Sequence, residues 1–178
     1  MTFRIRAATA LDREAIRDVH LRAFSPLEGQ AVAKLAGDLT CIRSTPATIG
    51  LVAEAQGAVV GHVAFSPVTA DLGAPWQGYL LAPLGVVPEQ QTAGVGSQLI
   101  EAGVAHVSAS GADVVFVYGD PAYYGRFGFQ RETATRFLPP YDLQYPFGWQ
   151  AVVLHGDPAD ERIARISCVA PLCDPSLW

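Results

Sequence analysis

Lysine is nearly absent from this chain of 178 residues, in which Lys34 stands alone and eleven arginines are scattered without a basic run. The formal net charge is −5 at pH 7. Because binding to a phosphate backbone needs a concentrated basic face, this distribution argues against nucleic acid as a partner. The acidic balance is compatible with a cationic amine substrate, but it does not identify one.

Cysteine is also scarce. Cys41, Cys168 and Cys173 are odd in number and lack the spacing of metal ligands. We therefore expect reduced thiols, no disulfide framework and no metal site. No apolar run has the length of a signal-peptide core or of a membrane span. The sequence thus predicts a cytoplasmic protein with no membrane partner.

Hydrophobic residues, by contrast, make up half of the chain, and charged residues only 16%. This composition supplies enough apolar material for one core of ordinary size. We expect a single domain over residues 1–178, with its core in residues 3–155 and a C-terminal tail in residues 156–178.

The first part of the chain predicts a strand, two helices and a hairpin. Residues 3–6 alternate in polarity, and Thr9 and Asp12 then have the spacing of a capping box at a helix start. The apolar positions of this first helix are Leu11, Ala15, Ile16, Val19 and Ala23, and those of a second helix over 27–39 are Leu27, Ala31, Leu35 and Leu39. Two apolar runs, 49–55 and 58–68, flank Gln56-Gly57, which is typical of a hairpin turn.

The second part predicts further strands and helices in alternation. Residues 79–87 form a strand whose Pro83 indicates a sheet edge or a bulge. Helical spacing returns over residues 94–109, and a short helix fits residues 121–127. Strands are expected at 114–118, at 149–155 and, in the tail, at 163–169. The order of elements predicts a mixed α/β domain in three layers.

The segment from Leu84 to Ser97 carries the sharpest signal for a ligand. A buried strand runs into a glycine-containing turn that opens a helix at Gly94-Val95-Gly96. The first N–H groups of a helix have no intrahelical partner and carry partial positive charge, so they can hold a pyrophosphate. The segment lacks the Gly-Lys-Ser/Thr of a Walker loop, and Leu99 stands where a dinucleotide-binding fingerprint needs its third glycine.

A second segment, Tyr118-Gly119-Asp120-Pro121-Ala122-Tyr123-Tyr124-Gly125-Arg126-Phe127-Gly128-Phe129, follows about thirty residues later. Together the two segments resemble the GNAT superfamily of N-acetyltransferases. Gln91-Thr92-Ala93-Gly94-Val95-Gly96 matches the family's acetyl-CoA motif, and Tyr124 stands four residues before a Gly-Phe pair, as in many members. The second segment is similar to that of a branch of small N-acetyltransferases.

The resemblance implies the GNAT fold, with the order β1-α1-α2-β2-β3-β4-α3-β5-α4-β6-β7. In this order β4 is the strand at 79–87 and β5 the strand at 114–118, and the β4/β5 pair is splayed. It implies acetyl-CoA as co-substrate and direct transfer of the acetyl group to a primary amine within a ternary complex. The residues that it places around the cofactor are Leu84, Val86, Val87, Gln91, Thr92, Ala93, Gly94, Val95, Gly96, Ser97, Tyr118, Asp120, Tyr123 and Tyr124.

Two of these residues receive catalytic roles from the resemblance. Tyr124 is expected to protonate the departing thiolate, and a tyrosine is protonated at neutral pH as that role requires. The backbone N–H of Val86, with Val87 nearby, is expected to stabilise the oxyanion. Packing on Phe127 and Phe129 is the structural alternative for Tyr124. Asp120 is interpreted first as the cap of the helix that begins at Pro121.

The general base and the acceptor stay open. Residues 79–87 contain no acid or histidine, so the candidates are His62, Glu54, Glu28 or a water relay, with a structural role favoured for His62. The loop at 137–148 suggests either an aromatic acceptor wall or plain loop packing, through Phe137, Tyr141, Tyr145, Phe147 and Trp149. The alternative function is that of a non-catalytic domain that binds acyl-CoA. A donor with a longer acyl chain than acetyl is an alternative co-substrate, and a homodimer is a possible oligomeric state.

Overall fold

The computed structural model describes residues 2–72, 75–156 and 162–178. The expected C-terminal tail therefore lies partly outside the described residues, at 157–161. The chain divides into two compact units, Met1–Phe65 with Ala82–Ala105 and Ser66–Leu81 with His106–Trp178. The single domain over residues 1–178 stays a prediction.

Most of the predicted helices and strands are present with nearly the predicted bounds. The elements before the glycine-rich turn are β1 (Arg4–Ala7), α1 (Arg13–Ala23), α2 (Pro26–Cys41), β2 (Ile49–Ala55), β3 (Ala58–Thr69) and β4 (Gly78–Val86). Those after it are α3 (Val95–Ala109), β5 (Val114–Tyr118), α4 (Pro121–Tyr124), α5 (Arg131–Ala134), β6 (Phe137–Leu138), β7 (Trp149–Val153), β8 (Ala164–Arg165) and β9 (Ser167–Cys168).

Within the described residues, the main sheet has the strand order β1-β2-β3-β4-β5-β7, with β9 added to the end of β3. Its pairs are antiparallel at β1–β2, β2–β3 and β5–β7, and parallel at β4–β5. The register of β4 with β5 ends at Leu81↔Val117, although β4 runs on to Val86. This mixed sheet with a short parallel pair confirms the predicted fold class.

Of the two alternatives for Pro83, a sheet edge or a bulge, the sheet edge was wrong. β4 lies between β3 and β5 in the sheet. The proline is accommodated in an interior strand because the ladder to β5 has already ended at Leu81, two residues earlier.

In the first unit, α3 packs close to β3 because two glycines leave room for it. A Cβ on Gly61 would lie 2.9 Å from Cγ1 of Val95, and one on Gly103 would collide with the ring of Phe65. A core of Ile16, Ala36 and Val52 joins α1, α2 and β2. The 3₁₀ turn that leads into α1 begins with the predicted box, since the Thr9 N–H donates to the Asp12 carboxylate at 2.8 Å.

The predicted apolar faces of α1 and α2 were partly wrong at their N-terminal ends. Leu11 is 96% exposed and Leu27 is 93% exposed, and Ala31 is also exposed. Leu11 lies in a 3₁₀ turn that precedes α1, and Leu27 lies in the first turn of α2. The face that α2 buries consists of Gly29, Ala33, Leu35, Ala36, Gly37 and Leu39.

In the second unit, aromatic rings form the packed interior. Phe116 stacks on Trp149 with centroids 5.2 Å apart and meets Phe137 edge-on at 5.0 Å. The C-terminal Trp178 stacks with Tyr118 at 6.4 Å. The short elements α5, β6, β8 and β9 of this unit were not predicted individually, since two- to four-residue elements carry too little periodicity.

Candidate active site

The turn before α3 is built on two residues with left-handed backbone. Thr92 has φ 65° and Gly94 has φ 83°. A Cβ on Gly94 would meet nothing within 4 Å, so this glycine is required by its backbone conformation and borders open space. The segment from Gln91 to Gly94 is exposed, whereas the Val95 side chain is buried. The turn therefore presents its backbone, and not large side chains, to the outside.

The N-terminus of α3 has the donors that an anionic ligand needs. The Gln98 N–H donates to the Gly94 carbonyl at 3.1 Å, which makes this the first hydrogen bond of the helix. The N–H groups of Val95, Gly96 and Ser97 precede that bond, so helix geometry leaves them without an intrahelical acceptor. Together with the helix dipole they can hold a phosphate.

The end of β4 directs the amides of Val86 and Val87 to opposite sides. The Val87 N–H donates to the Val60 carbonyl of β3 at 2.9 Å, so it is already used. Consecutive residues of an extended strand turn their N–H groups to opposite edges, which directs the Val86 N–H away from β3. The Val86 carbonyl accepts a hydrogen bond from the Gln91 amide at 3.1 Å. Leu84 and Val86 are half-buried, and Val87 is buried.

The other predicted residues lie in the second unit, between β5 and α4. Asp120 caps α4 as expected, because its carboxylate accepts the Ala122 N–H at 2.9 Å. The Tyr118 hydroxyl accepts the Tyr145 N–H at 2.9 Å, so it holds the following loop. The structure therefore gives Asp120 and Tyr118 structural contacts. Their cofactor contacts stay predictions.

Tyr124 is fixed by the residues around its ring. Its ring lies where a side chain of Gly119 would be, since a Cβ there would approach within 2.5 Å of Cε2. Tyr123 and Phe129 meet the ring edge-on at 5.1 Å and 5.9 Å. Burial raises the pKa of Tyr124 above its usual value of about 10, and the neighbouring Tyr123 adds to this. Tyr124 is therefore protonated at neutral pH and can donate a proton.

Tyr123 packs on its own helical segment. The Arg126 guanidinium lies 4.5 Å from the centre of the Tyr123 ring, a cation–π distance, and Phe127 lies 5.7 Å away. This packing gives Tyr123 a structural role, and its contact with the cofactor stays a prediction.

His62 is paired with a histidine that the sequence analysis did not single out. His20 Nε2 and His62 Nδ1 lie 2.9 Å apart, and the two side chains are 0% and 1% exposed. Burial lowers the pKa of His20 to about 4, and burial together with His20 holds the pKa of His62 well below its usual range. Both rings are thus neutral at pH 7. The available signal for His20 was its position four residues after Ile16, on the apolar face of α1.

The two glutamates considered as bases have other partners. The Glu54 carboxylate binds the Arg6 guanidinium at 2.8 Å, and the same arginine also binds Asp12. Glu28 accepts the Ser25 hydroxyl at 3.0 Å in the first turn of α2. These contacts favour structural roles for both glutamates.

The aromatic loop considered for the acceptor is partly buried. Phe137 and Trp149 are 2% and 7% exposed and belong to the packed interior of the second unit, and both also line a pocket with Leu138, Pro139 and Pro146. Trp149 also donates its indole N–H to the Phe137 carbonyl at 2.7 Å. Tyr145 and Phe147 are about half exposed and remain as candidates.

Among residues 2–72, 75–156 and 162–178, no three His, Cys, Asp or Glu side chains come together as metal ligands would. The three cysteines are free. Within the same described ranges, no helix combines the length and apolar character that a membrane crossing requires.

Comparisons with known proteins identify relatives along most of the chain. The family model described as an acetyltransferase (GNAT) domain matches residues 46–131. The uncharacterized N-acetyltransferase YjhQ of Escherichia coli (strain K12) is 37% identical over 166 residues, which cover 90% of this chain and 88% of the relative. The uncharacterized N-acetyltransferase YhbS of the same strain is 38% identical over 127 residues, or 71% of this chain and 72% of the relative.

Two solved structures share the fold and have at least 30% sequence identity with this chain. The GNAT family N-acetyltransferase YhbS from Escherichia coli, in complex with CoA, has a TM-score of 0.77 and 30% identity, with 93% of this chain and 89% of that chain covered. A GNAT family acetyltransferase from Brucella melitensis, in complex with acetyl-CoA, has a TM-score of 0.70 and 32% identity, with 88% and 90% covered. On this similarity, which spans nearly the whole chain, the protein belongs to the GNAT family of N-acetyltransferase enzymes.

Proposed function

We propose that this enzyme transfers an acetyl group from acetyl-CoA to a primary amine by direct attack within a ternary complex. The observation that carries the proposal is the turn at Gly94, where left-handed backbone opens α3 onto exposed space. Two GNAT relatives were solved with CoA and with acetyl-CoA bound, which supports the same cofactor here. The pyrophosphate would lie on the N–H groups of Val95, Gly96 and Ser97.

The transfer itself needs three functions from the protein. The neutral amine attacks the thioester carbonyl, the resulting oxyanion needs a donor, and the departing thiolate needs a proton. The Val86 N–H suits the oxyanion better than the Val87 N–H, because the latter is bonded to Val60. Tyr124 suits the last step because burial keeps its hydroxyl protonated. No cysteine lies in either motif segment, which disfavours an acyl-enzyme.

Isothermal titration with acetyl-CoA tests the cofactor assignment. We expect Gly94→Glu to abolish binding, because the added carboxylate would face the pyrophosphate. Gly111→Glu is a matched control: Gly111 has φ 89°, and its Cβ would also meet nothing within 4 Å. Backbone strain is thus common to both variants, and only Gly94→Glu places the carboxylate at the proposed binding turn. Wild-type protein that fails to bind acetyl-CoA, or equal loss in both variants, would contradict the proposal.

An amine panel tests the reaction. An aliphatic diamine, an arylalkylamine, an aminosugar and a peptide α-amine are supplied with acetyl-CoA, and release of the CoA thiol is followed. We expect turnover of at least one class, and Tyr124→Phe to lower kcat by about 10²-fold while acetyl-CoA binding is retained. Binding without turnover of any amine would favour a non-catalytic acyl-CoA-binding domain. Turnover with longer acyl-CoA only would favour another donor.

Three further properties remain predictions: that the acceptor is an amine, that the protein forms a homodimer and that it is cytoplasmic. The exposed rings of Tyr145 and Phe147 favour an acceptor with an apolar or cationic group next to its amine. Size-exclusion chromatography with light scattering decides between monomer and dimer.

A further inference from the structure

The amide proposed for the oxyanion, that of Val86, belongs to a peptide group that α1 covers. This peptide group joins Gly85 to Val86, and Gly85 is buried. A Cβ at Gly85 would lie 2.7 Å from Nδ1 and 2.8 Å from Cε1 of His20, so the imidazole ring occupies the place of a side chain there. His20 is 0% exposed on α1. The backbone next to the proposed oxyanion donor therefore lies directly against one side chain of this helix.

The His20 ring is fixed by contacts on its other sides. Its Nε2 shares a hydrogen bond of 2.9 Å with Nδ1 of His62, and the two rings meet edge-on. Phe24 stacks on the ring with centroids 5.9 Å apart. His62 is buried in β3, so the hydrogen bond ties α1 to the sheet. Because a hydrogen bond is directional, it fixes the plane of the ring as well as its place, which apolar packing alone does less strictly.

The last residues of β4 need support, because the ladder between β4 and β5 ends well before β4 does. The peptide group after Val86 is held at both ends: the Val87 N–H donates to the Val60 carbonyl at 2.9 Å, and the Val86 carbonyl accepts the Gln91 amide at 3.1 Å. The Val86 N–H belongs to the preceding peptide group. That preceding group begins at the glycine on which His20 packs.

We propose that His20 is a positioning residue for the oxyanion donor, an inference that rests on the proposed acetyl transfer. The ring packs on Gly85 and thereby sets the direction of the Val86 N–H, while His62 holds the ring. His20 touches neither substrate nor cofactor and transfers no proton, in keeping with its enclosed Nδ1. If the ring is lost, the peptide group can tilt and the N–H points away from the thioester carbonyl. A displacement of ~1 Å in an active site can cost about 10²-fold in rate.

The first test observes the hydrogen bond from Val86 directly and needs no acceptor. Acetyl-CoA labelled with ¹³C at its carbonyl is bound to the protein, and the thioester C=O stretch is measured by isotope-edited infrared spectroscopy. A hydrogen bond weakens the C=O bond, so we expect the bound band at a lower frequency than that of free acetyl-CoA. In His20→Ala the band should return towards the free frequency. In His20→Phe, which keeps a ring over Gly85 but loses the bond to His62, it should return by less.

Ile16→Ala is the matched control for a hole in the core beneath α1. Ile16 lies one turn before His20, is 0% exposed and packs with Ala36 and Val52. Its truncation also leaves a cavity under the helix, but not one that adjoins the Val86 amide. The band in this variant should stay at the wild-type frequency. A band that keeps its shift in His20→Ala, or that moves equally in both variants, would overturn the proposal.

The second test is kinetic and uses the panel amine of highest turnover. We expect His20→Ala to lower kcat by about 10-fold, with the acetyl-CoA dissociation constant unchanged in titration. Gly85→Ala displaces the same peptide group from the other side and should lower kcat by a similar factor. In the double variant the methyl group enters the space that the ring has left, so the combined loss should be smaller than the product of the single losses. Losses that multiply would show that the two residues act independently and would overturn the proposal.

Failure of the proposed function gives a different result. Wild-type protein that does not bind acetyl-CoA would remove the acetyl transfer itself. Wild-type protein that binds acetyl-CoA with the carbonyl band at the free frequency would remove the role of the Val86 N–H, and the role of His20 with it. A shifted wild-type band that is unchanged in His20→Ala would remove only the role of His20.

Discussion

Gly94 and Gly119 lie in the two motif segments, yet they are required for opposite reasons. At Gly94 the backbone is left-handed, and the place of a side chain is open. At Gly119 that place is filled by the ring of Tyr124. We call a glycine open when a Cβ there would meet nothing, and filled when a neighbouring group occupies that place. An open glycine in a motif indicates a ligand that approaches the backbone, whereas a filled glycine indicates a neighbouring side chain that must be held in position. Substituting glycines of each kind should separate binding from positioning.

The largest expected effect is on stability and comes from His20, whose ring fills the place of a side chain at Gly85 and whose charge depends on pH. The pKa of His20 is lowered by burial from 6.5 to about 4, so the unfolded chain binds this proton first as the pH falls. The stability contributed by the neutral ring is complete above pH 6.5 and is lost between pH 6.5 and 4. The shift corresponds to about 3 kcal/mol from His20 alone. Urea unfolding at pH 7 and at pH 4.5 measures the difference.

The control for this prediction is His20→Phe, which removes the titrating group but keeps a ring at the site. The variant should lose much less stability between the two pH values than the wild type. An equal loss in both proteins would show that other groups control the acid sensitivity.

Gly103 lies outside the two motif segments, and the place of its side chain is occupied by the ring of Phe65. An alanine there collides with the buried ring of Phe65, and overpacking of this kind costs about 1–3 kcal/mol. Alanine is favoured over glycine within a helix by up to about 1 kcal/mol, which offsets part of the cost. We expect Gly103→Ala to lower the free energy of unfolding by about 1–2 kcal/mol, measured by urea denaturation. Unchanged stability would mean that the Phe65 ring moves aside freely.

Gly119→Ala should affect catalysis more than binding. The added methyl group displaces the Tyr124 ring, so the proposed proton donor would leave its position. We expect kcat to fall by about 10-fold or more, with little change in the acetyl-CoA dissociation constant measured by titration. In the Tyr124→Phe background the same substitution should have little further effect on kcat. Additive losses would show that Gly119 acts through something other than the hydroxyl.

How much of the structure could be predicted from the sequence depends on how far apart along the chain the contacting residues lie. The turn at Gly94 and the cap at Asp120 depend on neighbours within a few residues, so local spacing predicts them. The pairing of His20 with His62 joins residues 42 positions apart, and no local pattern reports it. The sequence left open whether Phe137 and Trp149 face an acceptor or pack within the protein, because an aromatic-rich loop has the same composition in both cases; the structure buries both rings.

Gly125 offers the smallest effect and the opposite sign. It follows Tyr124, but its φ of −57° and ψ of −26° are helical, and a Cβ there would meet nothing within 4 Å. An alanine fits this backbone without strain and reduces the freedom of the unfolded chain. We therefore expect Gly125→Ala to raise the free energy of unfolding by about 0.4–1 kcal/mol, measured by thermal and urea denaturation. An open glycine with helical φ needs neither its flexibility nor its empty space for folding. A loss of acetyl-CoA affinity in a variant that still folds would therefore indicate that a ligand lies over Gly125, as we propose for Gly94.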